Sequence, residues 1–198
     1  MTLNLPSLIA LVFVGGALLS YAVIRLLRWY RAREYNRRLL EAVTKLGSDY
    51  RRDVVIADGN GATLHIDFLL LTARGILLVD LRDLEGNVFG SDQMSEWTVM
   101  SGARRFTFPN PQAALYDKVA AVKSIALETP VEGRVAFSSS AQFPKGVPRS
   151  VTKIEQLATE FPPMQGDALG MATAAHSEAW IRVLDKLAPS PLRKPTPI

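Results

Sequence analysis

The sequence predicts an α/β protein: an N-terminal transmembrane helix, then a mixed β-sheet flanked by helices. Three observations predict it. Residues 5–24 carry no charged side chain, and six Arg follow within residues 25–38. Short runs rich in Val, Ile and Leu, bounded by Gly, Asn and Asp, fill the middle of the chain. Stretches of helical periodicity lie before and after those runs, which is the pattern of helices packed on a sheet.

The N-terminal element comes first. Residues 5–24 (LPSLIALVFVGGALLSYAVI) give about 30 Å of helix at about 1.5 Å per residue, the thickness of the hydrocarbon layer. Tyr21 and Trp29-Tyr30 fall where interfacial aromatics are expected. No basic residue precedes Pro6, so the stretch lacks the n-region of a cleavable signal peptide. All six Arg follow the span, which places the N-terminus outside and the remainder in the cytoplasm, a single-pass protein of the cell membrane. A buried core helix is the alternative, but Gly15-Gly16 and the uncharged run suit lipid better.

Charge is as localised as hydropathy. The net charge is +4, yet residues 25–38 hold six Arg and one Glu, a local +5, so the rest of the chain sums to −1. The basic belt is the expected contact with anionic lipid. It is not the signature of a domain whose whole surface traps nucleic acid. The chain has no Cys and two His. That excludes a disulfide framework, a thiolate zinc site, a cysteine nucleophile and a multi-histidine metal site.

The elements follow in order. Residues 25–46 show helical spacing, with Gly47 as a stop. Arg52–Ala57 is an expected strand, followed by the turn Asp58-Gly59-Asn60-Gly61. Residues 62–71 and 76–82 are two strands around Thr72-Ala73-Arg74-Gly75. Val88-Phe89 and Trp97–Met100 are shorter strands. Phe108-Pro109-Asn110-Pro111 breaks the chain before a helix over 112–127. Arg134–Ser138 is a further strand, 151–160 and 168–187 are expected helices, and the tail from Pro189 is expected to be disordered. The organisation is then an anchor at 1–27, a basic segment at 28–38, one domain at 39–188 and a tail at 189–198.

Two carboxylates stand where apolar residues would cost less. Asp67 interrupts IDFLLL and Asp80 interrupts ILLVDL. A buried carboxylate costs several kcal/mol, of order 3–5, unless it is paired or metal-bound. A hairpin centred between Ala73 and Arg74 places Asp67 opposite Asp80 and His65 opposite Arg82, with directly opposed Cβ atoms about 5 Å apart. Like charges so placed repel, unless a cation sits between them or one is protonated. Hard oxygen ligands at that spacing suit Mg²⁺ or Mn²⁺. The structural alternative is that Asp80 pairs with Arg82 or Arg74 and that Asp67 caps a turn or ends at a strand edge.

The run HIDFLLLTARGILLVDLRDLEGNVFG (residues 65–90), Trp97, FPNPQAAL (108–115) and GRVAFSSSAQF (133–143) resembles, in order and spacing, the nuclease-related domain called NERD. The resemblance covers residues 39–160. It implies a fold similar to the restriction-endonuclease-like PD-(D/E)XK nucleases, in which two acids bind a divalent metal that activates water. The metal ligands it implies are Asp67 and Asp80, and the family's catalytic lysine falls on Arg82. Arginine stabilises a phosphate but is no general base. The family's early helical Glu falls near Asn36 or Arg37, with Glu41 one turn later. Gln112 matches the family pattern loosely and is expected to be an ordinary residue of the helix start.

Two functions from different classes follow. One is a membrane-tethered nuclease that uses Mg²⁺ or Mn²⁺ on cytoplasmic DNA or RNA. The other is a membrane-anchored binding or scaffold module that keeps the fold without catalysis.

Overall fold

Alternating apolar residues and a few obligatory turns dictate the architecture. The structure, a computed structural model, describes residues 5–59, 61–163 and 166–191, with the side chains at 5–15, 17, 28, 31–33, 35, 36 and 38 outside that description. It divides into a helical unit ending at Glu41 and a folded unit beginning at Ala42.

Helix α1 (Leu5–Thr44) runs without a break through the stretch expected to span the bilayer and the basic segment after it. Leu18, Leu19, Ile24 and Leu26 are all at least half exposed. Arg37 bridges Glu34 and Glu41 at 2.8 Å each, the i,i+3 and i,i+4 pairs that a solvated helix face favours. Glu41 is thus a surface partner of Arg37. The expected span at 5–24 falls mainly on side chains outside the described residues. Among the described residues no helix is long and apolar enough to cross a membrane.

The folded unit is built on a six-stranded mixed sheet. Its strands are β1 (Asp49–Ala57), β2 (Thr63–Thr72), β3 (Gly75–Arg82), β7 (Val131–Phe137), β9 (Val151–Lys153) and β10 (Ala188–Pro189), in the order β10-β1-β2-β3-β7-β9. The first four in that order are antiparallel, and β3-β7-β9 are parallel. The β2–β3 turn has two residues, Ala73 and Arg74, and the register runs Thr72↔Gly75 to Phe68↔Val79. This is the expected hairpin. Thr72 Oγ1 donates to the Gly75 carbonyl and accepts from the Arg74 N–H. Gly75 adopts φ +120°, and a Cβ there would lie 2.3 Å from the Pro130 carbonyl oxygen, so only Gly closes this turn.

A second sheet of four strands was not expected. It holds β4 (Gly86–Phe89), β5 (Glu96–Ser101), β6 (Arg104–Pro109) and β8 (Ala141–Gln142), in the order β6-β5-β4-β8. Strand β6 was missed because it is an exposed edge strand: two Arg and a terminal Pro mask the Phe106-x-Phe108 alternation. Trp97 on β5 is fully buried, stacks on Phe137 and meets Phe108 edge-on. A Cβ at Gly90 would lie 2.2 Å from the Trp97 ring, which explains why a Gly precedes this Trp.

Helix α2 (Pro111–Ala126) starts where expected, capped by Asn110, whose Oδ1 accepts the Gln112 N–H at 2.9 Å. Its face of Leu115, Val122 and Ala126 joins one core with Leu69, Leu71, Ile76, Leu78 and Val135. Gly133 on β7 lets that helix approach closely, since a Cβ there would lie 2.7 Å from Val119. Three expectations change at the C-terminal end. Val151–Lys153, expected to be helical, adds strand β9 before α3 (Ile154–Glu160). The single helix expected over 168–187 is two, α4 (Gly166–Ala174) and α5 (Ser177–Leu184), with His176 as the N-cap of α5. The tail expected to be disordered from Pro189 begins as strand β10, pairing Pro189 with Val54 and Ala188 with Val55. Residues 192–198 of that tail lie outside the described residues.

Candidate functional site

The hairpin register decides the site. Continuing it by one position past Phe68↔Val79 sets Asp67 against Asp80. The regular ladder stops there, because the Asp67 carboxylate takes over: its Oδ2 accepts the Leu81 N–H at 2.8 Å. The two acids are brought together as the sequence predicts, and one guanidinium spans them. Arg82 places Nη1 3.9 Å from Asp67 Oδ2 and Nη2 3.9 Å from Asp80 Oδ2.

The burial of the two acids differs. The Asp80 side chain has no exposure, whereas Asp67 keeps 25% and Arg82 32%. Asp67 is therefore the rim and Asp80 the floor. His65, expected opposite Arg82, instead meets Asp67 (Nε2 to Oδ1, 3.1 Å) and Ser190 (Nδ1 to Oγ, 2.9 Å). The ordered start of the tail thus closes one wall of the site.

Sequence reasoning missed Lys118. It lies on α2 and its Nζ donates to Asp80 Oδ2. Lys118 is 8% exposed, a buried lysine on a buried aspartate. A signal for it existed. Leu115, Lys118 and Val122 follow i, i+3, i+7 spacing, so Lys118 interrupts the inward stripe of α2 as Asp80 interrupts that of β3. Burial pushes the Asp80 carboxyl above its usual range, against the pull of the Lys118 ammonium; the Asp67 charge adds to the rise and Arg82 opposes it. The cation demanded by two opposed carboxylates is supplied by the chain itself.

Gln112 is more than an ordinary helix-start residue. It is 1% exposed, and its Nε2 donates to Asp92 Oδ1 at 3.0 Å and to Tyr116 Oη at 3.3 Å. With the Arg149 N–H it holds Asp92 below the usual carboxylate range. This network ties the β4–β5 loop to α2 and fixes the helix that carries Lys118. Arg74, the other partner considered for Asp80, pairs with Glu132 instead.

The donor set fits one hard cation. Asp67 and Asp80 share a face, and Asp80 Oδ1 is buried with no hydrogen-bond partner among the described residues. Among those residues no group of three or more His, Asp or Glu side chains is placed to hold a metal. A cation held by one or two carboxylates, with waters or substrate oxygens completing its shell, is the ordinary mode of Mg²⁺.

Comparison with family models matches residues 30–138 to NERD, the nuclease-related domain. That match contains the hairpin, strands β4, β5 and β6 of the second sheet, α2 and β7, and hence Asp67, Asp80, Arg82 and Lys118. No curated protein and no solved structure matches the chain. The chain belongs to the nuclease-related domain family.

Proposed function

We propose that this domain hydrolyses phosphodiester bonds of nucleic acid with a divalent metal, Mg²⁺ or Mn²⁺, held by Asp67 and Asp80. The observation that carries the reading is the in-register acid pair on one face, with a single Arg82 guanidinium 3.9 Å from each carboxylate. Asp67 and Asp80 are the residues that would hold the metal, which would supply a Lewis acid for a phosphoryl oxygen and a more acidic bound water. Arg82, a third exposed, offers a forked donor to the phosphate from the rim. His65 orients Asp67 and keeps one of its oxygens engaged. The resemblance to the PD-(D/E)XK fold supports the same assignment of the two acids.

The same proposal places the domain on the cytoplasmic face of the cell membrane, anchored by α1. The uncharged run at 5–24, the six Arg after it and the exposed apolar side chains at 18–27 support this. A reporter fused after Ile198 should be active in the cytoplasm, and activity only outside the cell would overturn the topology.

A second reading keeps the anchor and removes the chemistry: a membrane-tethered binding module. It is favoured by Lys118 and Arg82, which already neutralise both acids, and by Arg standing where the family has Lys. One experiment separates the two. The full-length chain in detergent is incubated with single- and double-stranded DNA and RNA, with Mg²⁺ or Mn²⁺, beside Asp67→Asn and Asp80→Asn. Metal-dependent cleavage by the wild type that both variants lose supports hydrolysis. Equal background in all three leaves the binding module.

A further inference from the structure

We infer that Lys118 sets the metal affinity of the acid pair: its ammonium is the resident counter-ion of Asp80, and a divalent metal binds by displacing it. The inference rests on the hydrolytic reading of the site but concerns a residue which that reading does not use. Asp67 and Asp80 bring two negative charges, and Lys118 and Arg82 bring two positive ones. The cluster has no net negative charge to attract a dication, so one cation must leave first.

Geometry selects Lys118. Arg82 stands 3.9 Å from both carboxylates, outside direct hydrogen bonding, and its Nη1 is already tied to the Leu81 carbonyl at 2.8 Å. Lys118 donates directly to Asp80 Oδ2, so that oxygen is occupied until the ammonium leaves. The other Asp80 oxygen, Oδ1, is buried with no hydrogen-bond partner among the described residues, so Asp80 keeps an oxygen that no other group claims. A lysine is suited to this exchange: a compact charge on a flexible four-carbon stem leaves by rotamer change without moving its helix. Gln112, anchored to Asp92 at 3.0 Å, keeps the start of α2 in place meanwhile.

The test uses the full-length chain in detergent, with Mn²⁺ alone as the probe. Free Mn²⁺ is followed by electron paramagnetic resonance during titration of wild type, Lys118→Met and Asp80→Asn. Lys118→Met should bind one Mn²⁺ at least about tenfold more tightly than wild type, and Asp80→Asn should bind none. A second measurement needs no variant: amine-specific labelling with peptide mapping. Lys118 of the wild type should resist labelling without metal and label several-fold faster at saturating Mn²⁺; it decides the matter should Lys118→Met not fold. Unchanged Mn²⁺ affinity in Lys118→Met, unchanged protection of Lys118, or no Mn²⁺ binding by either protein would overturn the inference. If Lys118→Met gains affinity and neither protein cleaves, the inference stands and hydrolysis falls. If wild type cleaves while Lys118→Met binds Mn²⁺ no better, hydrolysis stands and the inference falls.

Discussion

The two ends of the β2–β3 hairpin are chemically opposite, and Asp80 at one is as buried as the leucines at the other. At the turn end, Leu71 faces Ile76 and Leu69 faces Leu78, each at most 5% exposed. At the open end, Asp67, Asp80 and Arg82 occupy the same strands. Each apolar side chain at the turn end stabilises the fold by roughly 1.5–3 kcal/mol through burial alone, whatever its neighbour. Asp80 stabilises nothing by being buried. Its burial is tolerated because Lys118 reaches it from a helix 38 residues away in sequence. Stability at the turn end is local and unconditional, whereas at the acid end it depends on a third element. Charge is kept there at an energetic disadvantage, which is the condition expected of a site used for chemistry.

The strongest way to break this comparison is to remove one member of the buried pair. Lys118→Met, without metal, should destabilise the protein by about 3–5 kcal/mol, because Asp80 is left buried without its hydrogen-bonded cation, Arg82 standing 3.9 Å away. Adding Asp80→Asn to it should recover most of that loss. Urea unfolding in one detergent checks both. Should the single variant cost less than about 1 kcal/mol, the range of an exposed pair, then the acid end is solvated and the contrast is false.

The apolar end gives the next largest effect. Leu78→Ala should cost about 3 kcal/mol, within the range for a fully buried leucine, and no second substitution among the charged residues should rescue it. A rescue would mean that the two ends are coupled rather than independent.

A smaller effect tests the seat of α2. Gly133→Ala puts a Cβ 2.7 Å from Val119 and 3.0 Å from Leu115, and should cost about 1–3 kcal/mol by overpacking. It should also loosen Lys118 from Asp80, seen as faster amine labelling of Lys118. A loss of stability with labelling unchanged would show that the helix shifts without carrying Lys118 with it.

The smallest effect concerns an ordinary carboxylate used as a control for Asp80. Burial alone would push Asp49 up, but the Trp180 indole N–H at 2.9 Å and Arg51 at 2.7 Å outweigh it and hold the carboxyl below its usual range. A depressed aspartate contributes stability that is present above its unfolded pKa, about 4, and is lost as pH falls through the folded value. In Trp180→Phe the lost hydrogen bond should therefore account for about 0.5 kcal/mol at neutral pH, a value reduced for the exposure of Asp49, beside the pH-independent cost of trimming a buried ring, and the loss of stability in acid should flatten. Equal acid limbs for the two proteins would remove Asp49 from the account.

Much of this fold is legible in the sequence. The Thr-Ala-Arg-Gly turn permits a two-residue hairpin loop, and that even loop length sets the strand register; an odd one would shift it and separate Asp67 from Asp80. Those local facts place Asp67 against Asp80. The N-cap Asn110, the Pro at the start of α2 and the Gly stop after α1 are local as well, set by which backbone groups need a partner. What stayed hidden depends on contacts between distant segments. Strand β6 has no inward face of its own beyond Phe108, and only pairing with β5 makes it a strand. Pro189 is a tail residue until β1 offers it an edge. The helical spacing marks Lys118 as an inward charge, but only α2 settling over Gly133 decides that it meets Asp80. Sequence by itself determined the pair of like charges, since backbone geometry repeats every two residues. Only the tertiary structure decided what neutralises them, because an electrostatic partner is chosen by distance in space, and that distance exists only once the helix has packed on the sheet.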